Sequence, residues 1–211
     1  MNVLKIKSPL STKLEVSAYQ GHFATRHSHN SHYIDITRMK HEHTMAREAA
    51  ITIAQRYAYI KSIDTIVCTD GSEVIGAFLA YHLAKKDRFN VNMDKNIDVI
   101  TPEYDSNGQM IFRDNLTPMV TGKSVLLLIS TVNSGKTIRR MLECVEYYGA
   151  SVQGIAAVFS TVERVDDIPV YSLFAPGDIE GYITSAPKEC PMCKAGQKIE
   201  ALANSYGLSR L

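Results

Sequence analysis

Past the middle of the chain, the eight residues Ser130-Thr-Val-Asn-Ser-Gly-Lys-Thr137 combine the groups that a phosphate-binding turn requires. Thr131, Asn133, Ser134 and Thr137 offer small polar side chains, Gly135 lets the backbone approach closely, and Lys136 adds a cation. An apolar run, Leu126-Leu-Leu-Ile129, precedes the turn, and a stretch with helical spacing follows it. The first N–H groups of a helix lack intrahelical acceptors, and the helix dipole favours negative charge beside them. A phosphate placed there is held by backbone donors as well as by side chains. The plain alternative is a capped strand-to-helix turn without a ligand.

Read from Ser130, the spacing differs from a Walker A loop in having serine where the first glycine belongs. Context argues against that reading. The loop comes late in the chain, and the next apolar run, Ala156-Ala-Val-Phe-Ser160, ends in serine rather than in a magnesium-binding aspartate. A second sharp turn, Thr69-Asp70-Gly71-Ser72, follows the short β-branched run Thr65-Ile-Val-Cys68 and leads into another helical stretch.

The elements around the turns alternate. Apolar strands are expected at Thr65–Thr69, Asn96–Thr101, Ser124–Ser130, Val152–Ser160 and Val170–Phe174. Helical spacing runs over Thr44–Ile60, with Thr44 as N-cap, over Glu73–Lys86, and over Lys136–Gly149, which Gly149 ends. Strands alternating with helices imply an α/β fold with a parallel, helix-covered sheet, and ligands in such sheets sit beyond the carboxyl ends of the strands. Both turns lie there. The expected organisation is a single domain, 1–211. It comprises a small hood over about 1–40, a core over about 41–185, and a Cys-x-x-Cys turn and helix over about 186–211.

Lys and Arg total 23 against 22 Asp and Glu, so no charge excess points to nucleic acid or an anionic membrane. No apolar run approaches the roughly 18 residues of a membrane span, and the first residues lack a hydrophobic signal core. The expectation is a soluble, cytoplasmic protein.

Histidines cluster at His22, His27, His29 and His32, then at His41 and His43. On an extended strand His27 and His29 share a face and suit a transition metal; a solvated hood loop is the alternative. His41-Glu42-His43 raises the same question. Cys190-Pro-Met-Cys193 has the knuckle spacing of zinc ribbons, but a structural site wants four ligands. Three readings stand: a structural turn, half a metal site completed by the histidines or by a second subunit, and a redox pair. Zinc at Cys190 and Cys193 is thus a secondary reading, and no metal ligand is firm.

Aligned on Gly135, the late phosphate turn resembles that of the type I phosphoribosyltransferases, in which an apolar strand, two acids and a Thr-Thr-Gly or Thr-Ala-Gly turn open a helix. The hood segment supports the same family: "GHFATRHSHNSHYIDIT" is similar to the N-terminal segment of orotate phosphoribosyltransferases, with Phe23, Ser31, Tyr33 and Asp35 in register. The C-terminal "ECPMCKAGQKIEALANSYGLSRL" resembles orotate-type proteins whose loop also lacks the acids. The resemblance implies a fold with a central parallel sheet of about five strands flanked by helices and a small N-terminal hood. It implies transfer of a 5-phosphoribosyl group from phosphoribosyl diphosphate (PRPP), with Mg²⁺ on the diphosphate, in a homodimer. Thr131 and Asn133 to Thr137 would take the 5′-phosphate, Ser130 and Thr131 the ribose, and Thr69, Asp70, Gly71 and Ser72 the diphosphate. Arg26, Tyr33 and Asp35 would face the acceptor. Ile129 and Ser130 stand where the family carries its acids, which hold the ribose hydroxyls as positive charge develops on the sugar. Hydrogen bonds to charged groups contribute about 1.5–3 kcal/mol each, so their loss would remove several orders of magnitude of rate. A non-catalytic sensor of PRPP or a nucleotide is the alternative.

Overall fold

The computed structural model describes residues 2–106 and 109–211, so two residues of the polar stretch Pro102–Gln109 lie outside the described residues. The chain opens with β1 (Val3–Ser8), β2 (Ser11–Ala24) and β3 (His29–Asp35), then helices α1 (Thr37–His41) and α2 (His43–Tyr57). The core follows as β4 (Thr65–Cys68), α3 (Glu73–Leu83), β5 (Asp98–Ile100) and a small hairpin, β6 (Glu103–Tyr104) with β7 (Met110–Ile111). It continues through β8 (Ser124–Val132), α4 (Lys136–Tyr147), β9 (Ser151–Ser160), β10 (Arg164–Val165) and β11 (Ile168–Phe174). Last come β12 (Thr184–Ser185), the single-turn α5 (Pro191–Lys194), β13 (Ala201–Asn204) and β14 (Gly207–Arg210).

The central sheet has the order β10-β11-β9-β8-β4-β5. The five strands from β11 to β5 are parallel, and β10 adds an antiparallel edge. Strand β8 explains the apolar run that marks it. Leu126 and Leu128 face one core with helices α2 and α3, whereas Val125, Leu127 and Ile129 face a second core with α4. All five are fully buried. A strand buried on both faces reads as a continuous hydrophobic stretch rather than an alternating one.

Close packing fixes the distance between α2 and the sheet. A Cβ at Gly154 on β9 would sit 2.5 Å from Cε1 of Tyr57, a buried ring whose hydroxyl donates to the Ile155 carbonyl at 3.1 Å. Gly154→Ala is expected to destabilise the fold by about 1–3 kcal/mol, which lowers Tm by about 2–4 °C per kcal/mol in a chain of this size. A melting curve superimposable on the wild type would contradict this packing.

Three expectations change. The N-cap of helix α2 is extended Glu42, two residues before the expected Thr44, which donates its hydroxyl to Glu42 Oε1 instead of capping. The hood is not built from the N-terminal segment alone. Its sheet runs β12-β3-β2-β13-β14, so the C-terminal hairpin joins through parallel pairing of Ala201 and Leu202 with Phe23 and Ala24. Beyond the short α5, residues expected as a helix form that hairpin, turned at Asn204, whose Oδ1 accepts from the Tyr206 and Gly207 N–H groups.

Candidate functional site

The chain reverses direction across the central sheet between β4 and β8: β5 lies on one side of β4, while β8, β9 and β11 lie on the other. At such a switch point the loops after neighbouring strands part and leave a crevice. A cavity of about 460 Å³ opens there, between the β8–α4 turn and the hood.

The β8–α4 turn is built for close approach. Gly135 is the N-cap of α4 at φ +70, and a Cβ there would also meet Val165 Cγ2 at 3.1 Å. Among the described residues no side chain caps the helix and no acidic residue occupies its first turn, so its leading N–H donors are left for a ligand. Thr161 steadies the turn: its N–H donates to the Val132 carbonyl at 2.9 Å and its hydroxyl to that of Asn133. Thr131, Asn133, Ser134, Gly135, Lys136 and Thr137 all line the cavity.

The β4–α3 turn lies across the crevice. Asp70 at φ +59 and Gly71 at φ +75 make two successive left-handed residues, which turn the chain sharply between β4 and α3. Ser72 is buried and locks the turn, donating to the carbonyls of Thr69 at 2.8 Å and Leu128 at 3.0 Å. Lys40, from α1, covers this turn. Its Cε lies 2.8 Å from where a Gly71 Cβ would stand, and its Nζ donates to the Ser205 carbonyl at 2.6 Å. Burial lowers the Lys40 pKa, and burial raises that of Asp70, whose carboxyl bonds Ser205. This turn, Lys40 and the C-terminal hairpin therefore form one packed unit.

Among the described residues the cavity wall carries four Lys or Arg side chains, Arg26, Lys40, Lys136 and Arg140, and one carboxylate, Asp70. In a chain of net charge +1 this is a local concentration of positive charge, and low-dielectric walls focus such a field on an anionic ligand. His27 shares the space. Burial and then the charges of Lys136, Arg26 and Arg140 lower its pKa.

No family model matches the chain. It is 24% identical over 188 residues to the orotate phosphoribosyltransferase of Chlorobium phaeobacteroides, covering 86% of each chain. Among solved structures, the Mycobacterium tuberculosis orotate phosphoribosyltransferase in complex with Fe(III) dicitrate superposes with a TM-score of 0.53. That match has 16% identity over 77% of this chain and 91% of the other. The Trypanosoma brucei adenine phosphoribosyl transferase, solved with AMP, pyrophosphate and ribose-5-phosphate, gives 0.53 at 12% identity over 84% of this chain and 78% of the other. The chain has the fold of these phosphoribosyltransferases, and its sequence is similar to that of an orotate phosphoribosyltransferase.

Within this phosphoribosyltransferase-like frame the residues singled out in the sequence separate into groups. Arg26, Tyr33, Asp70, Thr131 and the turn from Asn133 to Thr137 meet around the cavity. Ser130 does not: it is fully buried, and its hydroxyl has no partner among the described residues. Ile129 beside it is equally buried, in the core against α4. Thr69 and Ser72 are buried behind the β4–α3 turn, where they fix its shape. Asp35 accepts from the Thr37 N–H at 3.0 Å and starts α1. Tyr33 is half-buried, and burial with Asp35 nearby pushes its hydroxyl pKa up to about 12.

The shared face expected for His27 and His29 is not formed, because His27 lies in a bend before β3 and lines the cavity, whereas His29 packs against His22. His41-Glu42-His43 gives no metal cluster among the described residues, since Glu42 pairs with Arg38 at 2.8 Å. Sequence reading also missed Lys40, Arg140 and the hairpin turn at Ser205 and Tyr206, all on the cavity wall. Asn204-x-x-Gly207 was the available turn signal for the last of these.

Proposed function

We propose that the chain transfers a 5-phosphoribosyl group from PRPP to a nucleobase-like acceptor. The observation that supports this most is the uncapped N-terminus of α4 opening, beside Lys136, into a cavity with four cationic side chains. In this reading the backbone N–H groups from Ser134 to Thr137 bind the 5′-phosphate. The Asp70–Gly71 turn and Lys40 receive the diphosphate leaving group, whose growing charge they stabilise. Arg26 and Tyr33 orient the acceptor from the hood.

Asp70, the one carboxylate on the wall among the described residues, suits a magnesium ion shared with a diphosphate, since that ion is usually held by one or two carboxylates plus ligand phosphates. Bound there, Mg²⁺ would neutralise charge on the leaving diphosphate. The homodimer that the resemblance implies belongs to the same proposal. Turnover is tested by pyrophosphate release with PRPP, Mg²⁺ and a panel of purine and pyrimidine bases. Release with at least one base is expected.

The second reading is a non-catalytic PRPP or nucleotide sensor, favoured by one observation: β8, Ser124–Val132, contains no Asp or Glu, and its residues Ile129 and Ser130 are fully buried. Saturable nucleotide binding with no pyrophosphate release for any base would establish it and defeat the transferase.

His27 supplies a pH signature for either reading. An anion bound beside its ring raises its lowered pKa, so binding takes up a proton. Affinity is therefore greatest below the free-state pKa and is lost as pH rises through the bound-state value. Sulfate, whose charge is constant between about pH 5 and 8, isolates the effect from ligand titration. Sulfate affinity measured by calorimetry should fall over that range in the wild type and fall less in His27→Ala; identical profiles would remove His27 from the site.

A further inference from the structure

Four side chains outside the cavity converge where the hood meets the C-terminal segment. His22 lies near the end of β2, His29 opens β3, Cys190 caps α5 and Cys193 lies within it. Their ligand atoms all lie within 4.8 Å of one another. His22 Nε2 is 3.1 Å from His29 Nδ1, 3.6 Å from Cys190 Sγ and 3.7 Å from Cys193 Sγ. Cys193 Sγ is 3.2 Å from His29 Nδ1.

Those four separations match edges of a tetrahedron around a zinc ion. Zinc bonds of about 2.0–2.1 Å to nitrogen and 2.3 Å to sulfur give edges near 3.3 Å for N–N and 3.6 Å for N–S. The donor set also fits in kind, since two thiolates and two imidazoles suit zinc and leave magnesium or calcium without the oxygen ligands they need. A supporting hydrogen bond sets the tautomer. His22 Nδ1 donates to the Gln197 carbonyl at 2.9 Å, which leaves the Nε2 lone pair facing the other three ligands.

The local fold explains why these residues meet. The β2–β3 register shifts between Gln20 and Phe23, and such a bulge re-aims a strand side chain. Gly21 in the bulge lets Glu200 come close, its Oε1 standing 2.9 Å from where a Cβ would be. Glu200 then accepts from the His22 N–H at 3.1 Å and donates its own N–H to the His22 carbonyl at 2.8 Å. His22, His29 and Cys190 are buried, while Cys193 is exposed and gives an ion a way in.

We propose that His22, His29, Cys190 and Cys193 form a structural zinc site that fastens the C-terminal segment to the hood. Four protein ligands close the coordination shell, which is the arrangement of a structural rather than a catalytic ion. The chain leaving this knuckle enters β13 and the turn bearing Ser205 and Tyr206 on the cavity wall, so the ion would hold that wall in place. The site stands on its own geometry whether the cavity catalyses or only binds.

The full-length protein, purified under reducing conditions without added chelator, is expected to hold about one zinc per chain. Cys193→Ser should lose most of it. Chelation should expose the segment around Lys194 and Lys198 to trypsin, removing the C-terminal hairpin while the core persists. Should Cys193→Ser fail to fold, the wild type stripped of metal and titrated with Co²⁺ decides the matter: the visible bands of a tetrahedral cobalt–thiolate site should saturate at one ion per chain. Less than about 0.1 zinc per chain together with no such cobalt spectrum would overturn the proposal. So would zinc retained at the wild-type level by Cys193→Ser.

Discussion

Ile129→Asp, which restores an acid at a position where the phosphoribosyltransferases carry one, is expected to destabilise the chain and not to accelerate it. Ile129 is fully buried among Val125, Leu127, Ile138 and Met141, on the face of β8 that packs against α4. An uncompensated charge in such a core costs about 3–5 kcal/mol. That corresponds to a fall in Tm of roughly 6–20 °C for a chain of this length. The carboxyl would escape part of the cost by staying protonated, its folded pKa rising above the unfolded value. The penalty should therefore be largest above that raised pKa and relieved as pH falls through it. Thermal melts of Ile129→Asp at two pH values check both the size and the sign. A stable Ile129→Asp variant with faster pyrophosphate release would show that β8 presents this position to the cavity, contrary to its burial here.

Lys136→Ala carries the second large effect, on affinity rather than on stability. Lys136 is exposed at the first turn of α4, lines the cavity and makes no ion pair within the chain among the described residues. Removing it should change stability by less than about 0.5 kcal/mol. A charge-assisted contact to a phosphate contributes about 1.5–3 kcal/mol, so PRPP affinity should fall roughly 10- to 100-fold. The difference should shrink at high salt, because both the residue and its ligand lie within reach of screening ions. Calorimetric titration of the two proteins at low and high ionic strength measures this directly. An unchanged affinity with an unchanged Tm would place the phosphate elsewhere.

The parts of the fold legible in the sequence are those whose signals are local. The run Val125 to Ile129 announces a strand buried on both faces, and Ser134-Gly135-Lys136 announces the turn into α4, because both depend on residues adjacent in the chain. Gly149 likewise marks the end of α4, at φ +72. The hidden parts arise from long-range contacts. Lys40 reaches the cavity wall by bonding a carbonyl 165 residues away, and Cys190 meets His22 across 168 residues. No periodicity records such pairs. The bulge at Gly21 and His22 hides the histidine further, since it breaks the two-residue alternation that would have shown which face the ring occupies. Ser130 shows the converse: a residue next to a well-read motif whose burial depends on what packs over the strand.

The central claim is that the turn from Asn133 to Thr137 is the 5′-phosphate cradle of a PRPP site. Calorimetric titration of the wild type and Lys136→Ala with PRPP and Mg²⁺ tests it most directly. Saturable one-to-one binding that weakens by at least about tenfold in Lys136→Ala is the predicted result. Absence of binding in the wild type, or equal affinity in the two proteins, would contradict it.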